Sequence, residues 1–388
     1  MGQSEPTSEP GTWSCKRAGD AVRRLKFKDA TPGVLRTALV GCGPMARWHA
    51  RVLGALPEYE LIALCDLDEA HARGLAAQVG CGAVYTDSGR MLEVERPDVV
   101  VIVTPCATHA ALTIQAAEFG VRGVYCEKPM ATCLGEGKAM VEACRSHDVA
   151  LAVNHQRRMS SPIRRLRELI EAGAIGEPEV YRGSCAGDLL SDATHLVDTI
   201  RFLNADAPVK WVVGQVHREI GPEVERDPRS VQLASAGFRY GHAVETGAFG
   251  VLEFATGVRA ELLCGDLRLM QRPYGDYEVL GTQGRLRRAG DGADPPLLIQ
   301  DERGGWRPVE DVPTQDENAE TAAACYRQFA RMVCEGAEHP LSGESALADL
   351  EIIMAVFESA RLRRKLELPL EQDRFPLDIL IEEETGNP

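Results

Sequence analysis

The fold is decided by one stretch near the start of the chain, Leu35-Arg36-Thr37-Ala38-Leu39-Val40-Gly41-Cys42-Gly43-Pro44-Met45-Ala46. Its apolar run ends at Val40 and is typical of a buried strand. Residues 41–46 fit the pattern G-x-G-x-x-G/A, whose small residues make a tight turn, let the backbone approach a pyrophosphate and let a new helix pack on the strand. The stretch therefore predicts a strand, a phosphate-binding turn and a helix whose positive end faces the phosphates.

A second strand and an acidic residue extend this pattern to a complete dinucleotide-binding unit. The apolar run 61–65 ends at Asp66, where a carboxylate can accept hydrogen bonds from the adenosine ribose and would repel a 2′-phosphate. The glycine pattern alone would also suit an ordinary strand–turn–helix, but the added strand and acid favour a dinucleotide, NAD(H) rather than NADP(H). The residues predicted to contact it here are Gly41, Gly43, Pro44, Met45, Ala46 and Asp66.

The composition excludes several classes of function. The chain has 388 residues, enough for two hydrophobic cores, and its net charge of −15 argues against a nucleic-acid or anionic-membrane partner. We find no apolar run near the roughly 18 residues of a membrane span and no secretory signal, so we expect a cytoplasmic protein. The 12 cysteines show no C-x-x-C pair or metal-like spacing, so we predict no metal site.

The pattern of the chain divides it into four segments. Residues 1–33 lack periodicity and are predicted to be a mobile extension. Strands and helices alternate over 34–153, which predicts a parallel, doubly wound sheet, that is, a Rossmann domain in an α/β fold. Residues 154–370 show the alternation of an open, mostly antiparallel sheet with helices, which predicts a second domain. The acidic segment 371–388 is predicted to be a solvated tail.

The predicted elements locate the edge of the first sheet where ligands bind. Its strands are expected at 35–40, 61–65, 98–103, 121–126 and 149–153, with helices between them. Ligands of such sheets lie beyond the carboxyl ends of the strands. Two further loops end there, one with Thr104, Pro105 and His109 and the other with Glu127-Lys128-Pro129. An ammonium at this edge can orient a substrate hydroxyl and stabilise alkoxide charge, although the triplet would also suit a surface ion pair before a turn proline.

The segment 188–198 carries the second group of candidate residues. In a helix predicted over 190–203, Ser191, Asp192 and His195 share one face. A histidine beside a carboxylate can act as a general base near neutral pH. A structural histidine in an amphipathic helix would show the same pattern.

Taken in order, these motifs resemble one known family. Residues 41–46, Thr104-Pro105…His109, Glu127-Lys128-Pro129 and His195-x-x-Asp198 are similar to the Gfo/Idh/MocA family of NAD(P)-dependent oxidoreductases, and the resemblance extends over 35–369. It implies a Rossmann domain followed by an α/β domain whose open antiparallel sheet often mediates oligomerisation. It also implies hydride transfer between nicotinamide C4 and a sugar or cyclitol hydroxyl carbon.

The resemblance assigns roles to individual residues. Lys128 corresponds to the catalytic lysine of the family and His195 to its catalytic histidine. On the cofactor side of the site it implies contacts from Thr104, Pro105, His109, Glu127, Lys128 and Arg158. The family commonly has an aspartate four residues before the histidine, where this chain has Ser191. Asp192 is therefore the third catalytic candidate, and either it or Ser191 through a water would orient the imidazole.

The same motifs are compatible with three other functions, and the open sheet predicts a homo-oligomer. A glycosidase that oxidises its sugar transiently, or a reductase of a diol or tetrapyrrole, would use the same residues. A dinucleotide-sensing regulator without catalysis is the third alternative, and the intact Lys128 and His195 argue against it. The open sheet leaves a face to be covered, with Val251, Phe254 and Val279 as candidates, which predicts a homodimer or homotetramer.

Overall fold

The computed structural model describes residues 33–218, 237–265, 274–302, 304–312 and 318–386. The segment predicted to be a mobile extension, apart from its last residue, lies outside these ranges. No helix in the described ranges is both long enough and apolar enough to cross a lipid bilayer.

The first part of the chain forms a parallel sheet flanked by helices, as predicted. The strands are β1 (Leu35–Val40), β2 (Tyr59–Cys65), β3 (Ala83–Tyr85), β4 (Val99–Ile102), β5 (Gly123–Cys126) and β6 (Ala150–Val153). The helices are α1 (Pro44–Gly54), α2 (Glu69–Val79), α3 (Ser88–Glu95), α4 (His109–Glu118) and α5 (Leu134–Ser146). In the described residues the strand order is β3-β2-β1-β4-β5-β6, and every neighbouring pair is parallel. The order reverses between β1 and β4, which creates the crevice where such sheets bind ligands.

The second part forms a sheet with helices on one face. Its elements are α6 (Ser161–Glu171), β7 (Pro178–Cys185), α7 (Thr194–Leu203), β8 (Val209–His217), β9 (Phe238–Arg239), β10 (His242–Ala243), β11 (Gly247–Phe254), β12 (Arg259–Gly265), β13 (Asp276–Gly281), β14 (Gly284–Ala289), β15 (Leu297–Gln300), β16 (Arg307–Pro308), α8 (Asn318–Glu335), α9 (Gly343–Leu362), β17 (Leu366–Glu367) and α10 (Pro376–Thr385). Among the described residues, nine strands form one sheet in the order β16-β15-β14-β13-β7-β12-β11-β8-β17, and β9 pairs with β10 separately. The pair β7–β12 is parallel and the other neighbours are antiparallel, which confirms a mostly antiparallel sheet.

Helix α8 comes late in the chain but packs on the first sheet. The ring of Tyr326 stacks on Tyr125 of β5 at 4.5 Å between centroids, and Phe329 lies edge-on to Tyr125 at 5.3 Å. All three side chains are buried. The chain therefore returns to the first sheet after it has built the second.

Two of the three residues predicted to lie on the uncovered face of the second sheet lie on its covered face. Phe254 and Val279 are fully buried on the face that the helices cover, so they cannot form an exposed contact surface. Val251 lies on the opposite face, where Val213 and Phe249 are each 39% exposed. Alternation along a strand shows which residues share a face, but does not show which of the two faces is covered.

Helix α7 begins later than predicted. The Asp188 carboxylate accepts a hydrogen bond from the Ser191 N–H at 2.6 Å, and the Asp188 carbonyl accepts from the N–H groups of Asp192 and Ala193. These bonds hold 188–193 in a turn, and the helix starts at Thr194. Ser191 and Asp192 therefore do not share a helical face with His195.

The end of the chain also differs from the prediction. The segment 371–388 was expected to be a solvated tail, but it contains α10. Phe375 and Leu377 are buried, and Glu383 forms an ion pair with Arg361 of α9 at 2.6 Å. The apolar residues at the start of α10 anchor it on α9 despite its acidic end.

Candidate active site

The glycine turn after β1 has the conformation that the pattern requires. Gly41 has a φ of +94°, and a Cβ there would lie 2.2 Å from the carbonyl oxygen of Val103, so this position needs glycine. A Cβ on Gly43 would meet nothing within 4 Å. The space above Gly43 is therefore open in front of α1, whose first residue is Pro44. A pyrophosphate fits this open space at the helix N-terminus.

The structure brings Asp66 to this turn from the end of β2. One carboxylate oxygen accepts a hydrogen bond from the Cys42 N–H at 2.7 Å, and the other accepts from the Asp68 N–H at 2.9 Å. The acid is thus held where the ribose of a dinucleotide on the turn would lie.

His109 joins the two loops that follow β4 and β5. Its ring nitrogens lie 2.9 Å from the carbonyl oxygens of Thr104 and Pro129, and the side chain is buried. Burial lowers the pKa of His109, and the two carbonyl contacts act against that shift. Thr104 and Pro105 remain half-buried at the edge. His109 therefore positions the edge loops of the predicted cofactor site from beneath.

Glu127 lies buried under the same edge. Its Oε1 accepts hydrogen bonds from Asn154 at 2.6 Å and from His49 Nε2 at 2.8 Å, and His49 Nδ1 lies 2.6 Å from the Tyr326 hydroxyl oxygen. Burial alone would raise the pKa of Glu127, but the hydrogen bond and charge of His49, with Lys128, lower it to about 2. Glu127 is thus an ionised anchor that fixes the backbone beside Lys128.

Lys128 crosses from the first sheet to the turn before α7. Its side chain is half-buried, and Nζ donates a hydrogen bond to the Ser191 carbonyl oxygen at 2.9 Å. This contact brings the two sequence motifs together, since the ammonium lies at the turn that leads into His195.

His195 is buried next to this ammonium. Its Nδ1 has no hydrogen-bond partner within the described part of the chain, and its ring lies edge-on to His155 at 5.7 Å. Burial, followed by the charges of Lys128 and Arg157, places the pKa of His195 well below 6.5. The imidazole is therefore neutral at neutral pH and can accept a proton.

Asp192 and Ser191 do not take the positions predicted for an acidic partner of His195. The Asp192 carboxylate pairs with Arg239, and the Ser191 hydroxyl lies 2.8 Å from Nε2 of His242. His242 Nδ1 donates to the Ala243 carbonyl, so Nε2 is the acceptor for Ser191. The turn over 188–193 directs both side chains toward β9 and β10 and away from His195.

Arg158 is also placed differently from the role that the resemblance implied. It is buried and bonds the carboxylates of Asp198 at 2.6 Å and Asp206 at 2.8 Å. The neighbouring Arg157 instead contributes to the low pKa of His195. Arg157 stacks 4.6 Å from the centre of the Tyr274 ring and pairs with Asp291.

Sequence reasoning missed Arg157, Tyr274 and Arg239. The Tyr274 hydroxyl donates to the Asp192 carbonyl at 2.7 Å, so it also supports the turn. Arg157 stood in the arginine-rich segment after β6, beside the arginine that the resemblance selected. Tyr274 and Arg239 lie in no motif, and only the folding of the second sheet brings them to the site.

One group of potential metal ligands occurs in the described residues, formed by His155, Asp198 and Asp349. Two arginines occupy its carboxylates, since Arg158 bonds Asp198 at 2.6 Å and Arg201 bonds Asp349 at 2.6 Å. These contacts make the group a buried ion-pair network that ties α7 to α9.

Comparison with known proteins agrees with this architecture. Residues 35–155 match the family model GFO_IDH_MocA, an oxidoreductase family with an NAD-binding Rossmann fold, and 167–368 match its C-terminal alpha/beta domain. D-apiose dehydrogenase of Paraburkholderia graminis is 29% identical over 373 residues, 90% of this chain and 94% of that protein. Myo-inositol 2-dehydrogenase of Thermotoga maritima is 26% identical over 288 residues, 70% and 79% of the two chains. An oxidoreductase from Agrobacterium radiobacter, solved with NAD⁺, L-tartaric acid and magnesium, shares the fold with a TM-score of 0.70 at 24% identity, covering 86% and 98%.

Proposed function

Since the chain belongs to the Gfo/Idh/MocA family of NAD-binding oxidoreductases, we propose that it transfers a hydride between NAD(H) and a hydroxyl-bearing carbon of a sugar, sugar derivative or cyclitol. The observation that carries this proposal is the contact of Lys128 Nζ with the Ser191 carbonyl at 2.9 Å, beside the buried His195. The names of two relatives, D-apiose dehydrogenase and myo-inositol 2-dehydrogenase, support a small polyhydroxylated substrate.

The residues of the first sheet fit a dinucleotide. The tight turn at Gly41 and the open space at Gly43 suit a pyrophosphate, and Asp66 stands where the ribose hydroxyls would lie. A carboxylate there favours NAD(H) because it would repel the 2′-phosphate of NADP(H). We assign cofactor binding to residues 34–153 and substrate binding to 154–370.

The proposed chemistry divides between the cofactor and two side chains. When bound, the nicotinamide supplies the hydride acceptor or donor. The Lys128 ammonium donates a hydrogen bond to the reacting oxygen and stabilises the negative charge that develops on it. His195 accepts the hydroxyl proton in the oxidation direction and returns it in the reduction direction. Asp192 pairs with Arg239 in the turn that accepts the Lys128 hydrogen bond, and it does not orient the imidazole.

The exposed face of the second sheet is the surface through which we propose that the chain forms a homodimer or homotetramer. Phe249 and Val213 are each 39% exposed on adjacent strands, with Val251 between them on the same face. An ion pair, Arg182–Glu261 at 2.7 Å, borders this apolar centre. An apolar centre with a charged rim is the usual anatomy of a subunit interface.

A substrate panel tests the proposed reaction. Purified chain is incubated with D-apiose, inositols, levoglucosan and aminosugars, each with NAD⁺ and with NADP⁺, and reduction is read at the nicotinamide absorbance. Turnover of at least one neutral polyol with NAD⁺ is expected. Absence of turnover across the panel in both directions, with NADH binding intact, would contradict the proposal.

A further inference from the structure

The turn that holds Lys128 carries two acidic side chains. Asp188 is buried, and Asp192 is nearly so. A single guanidinium nitrogen, Nη1 of Arg239, contacts an oxygen of each carboxylate, at 3.0 Å for Asp188. A buried carboxylate without a cationic partner is strongly unfavourable. Arg239, on the short hairpin formed by β9 and β10, is therefore a cationic partner that the two carboxylates share.

We propose that Arg239 is a positioning residue for hydride transfer, which fixes the turn 188–193 and keeps the Lys128 ammonium directed at the substrate oxygen. This inference rests on the role of Lys128 in the proposed function. Lys128 Nζ bonds the carbonyl of Ser191, the residue before Asp192. Burial raises the pKa of Asp192 and the nearby charge of Lys128 opposes that rise, so Lys128 is the cation that would replace Arg239. A lysine drawn to Asp192 would leave the Ser191 carbonyl and lose its alignment.

Several contacts hold the hairpin at its position. The Ala107 N–H donates to the Tyr240 carbonyl at 3.3 Å, so the hairpin reaches the loop after β4. At Gly241, φ is +91° and a Cβ would lie 2.3 Å from the Ala107 Cβ, which leaves no room for another residue. The Arg239 guanidinium lies 4.6 Å from the centre of the Tyr240 ring. Arg239 thus belongs to a segment that contacts both the loop after β4 and the turn 188–193, whose Ser191 carbonyl accepts the Lys128 hydrogen bond.

Several charged and titratable side chains surround the Lys128 ammonium. They are Cys106, Glu127, His155, Asp192 and His195. Glu127 is bonded to His49 and Asn154, which leaves Asp192 as the acid near Lys128 that Arg239 also contacts. Removing Arg239 should therefore act on Lys128 through Asp192.

The first experiment compares Arg239→Gln, Arg239→Lys and a control. We expect Arg239→Gln to lower kcat about 10- to 100-fold, because loss of alignment by about 1 Å has that effect. The dissociation constant for NADH should stay within about twofold, and Arg239→Lys should restore part of kcat. The matched control is Arg259→Gln, since Arg259 is an exposed arginine of β12 paired with Glu253. A kcat of Arg239→Gln within about twofold of wild type would overturn the inference.

A double variant separates charge from folding. Arg239→Gln adds one net negative charge to the turn, and Arg239→Gln/Asp192→Asn removes it again. If Arg239 acts by balancing charge, the double variant should regain at least about threefold in kcat over Arg239→Gln. A further loss in the double variant, or equal loss of NADH binding in both, would show a general structural role and overturn the inference.

A readout that needs no substrate keeps this inference distinct from the proposed function. The chain has seven lysines, which can be ¹³C-methylated and observed by NMR, with Lys128→Met identifying the relevant signal. In Arg239→Gln the position of the Lys128 signal at fixed pH should change, because the ammonium leaves the Ser191 carbonyl for Asp192. An unchanged signal would overturn the inference even if the enzyme is active. A changed signal with no turnover on any substrate would refute the proposed function alone.

Discussion

Replacement of Gly41 by alanine should reduce the stability of the chain before any ligand is added. The new Cβ would lie 2.2 Å from the Val103 carbonyl oxygen, more than 1 Å inside ordinary contact, in a backbone conformation with φ of +94°. The left-handed conformation costs about 1–2 kcal/mol for a residue other than glycine. Forcing apart the ends of β1 and β4 adds about 1–3 kcal/mol, as overpacking does elsewhere. The expected loss is therefore about 2–5 kcal/mol.

Gly43→Ala is the matched comparison within the same turn. A Cβ there meets nothing within 4 Å, and the backbone φ of −72° suits any residue. The apo chain should lose less than about 1 kcal/mol, the scale of a changed helix N-cap. The Cβ would nonetheless fill the space proposed for the pyrophosphate, so affinity for NADH should fall at least about tenfold.

Urea unfolding of the apo chain and NADH fluorescence titration separate the two effects. Gly41→Ala should lower the unfolding midpoint, and Gly43→Ala should lower NADH affinity at a nearly unchanged midpoint. An unchanged midpoint for Gly41→Ala would mean that the turn does not approach Val103 as described. Wild-type affinity in Gly43→Ala would place the pyrophosphate elsewhere.

Three further predictions concern the cofactor, acid stability and assembly. Asp66→Ser should narrow the preference for NAD(H) over NADP(H) in kcat/KM, and a wild-type chain that uses NADP(H) as well as NAD(H) would refute the role of Asp66. The pKa of Glu127 is lowered to about 2, so its ionised form stabilises the fold at pH values above the ordinary pKa of a glutamate, and this stabilisation disappears as the pH falls through about 4.5 to 2. Glu127→Gln should therefore be less stable than wild type near neutral pH, and the difference in stability should shrink in acid. A stability difference that does not depend on pH would contradict this. Phe249→Glu should shift the chain toward monomer by light scattering, whereas Glu253→Gln on the same strand should not, and a wild-type chain that is monomeric at micromolar concentration would refute the proposed interface.

Much of the fold could be predicted because the strands of a parallel sheet are continuous apolar runs. The strand 35–40 was predicted with the observed bounds. β3 and α3 were missed, since a three-residue strand and an eight-residue helix carry little periodic signal. The predicted start of α7 was wrong because the Asp188 side chain accepts a hydrogen bond that stabilises a turn before the helix, which helix propensity alone does not reveal.

The candidate site was predictable where residues follow strands and not where tertiary packing decides. Lys128 and His195 come from motifs, and the structure brings Lys128 to the turn before His195. Arg158 matched a family position, yet its burial with Asp198 removes it from the role implied by the resemblance. Arg239 reaches the site from a strand distant in sequence, so no spacing along the chain could have indicated it.

Substitution of Lys128 by methionine tests the central claim most directly. Methionine keeps the length of the side chain and removes its charge and its donors. Lys138→Met is the control, since Lys138 is exposed and pairs with Asp373 far along the chain. With an identified substrate, kcat of Lys128→Met should fall by roughly 10²–10³, the scale of one lost transition-state donor, while NADH affinity and the control stay unchanged. Turnover by Lys128→Met within about threefold of wild type would contradict the account and make Lys128 a structural lysine.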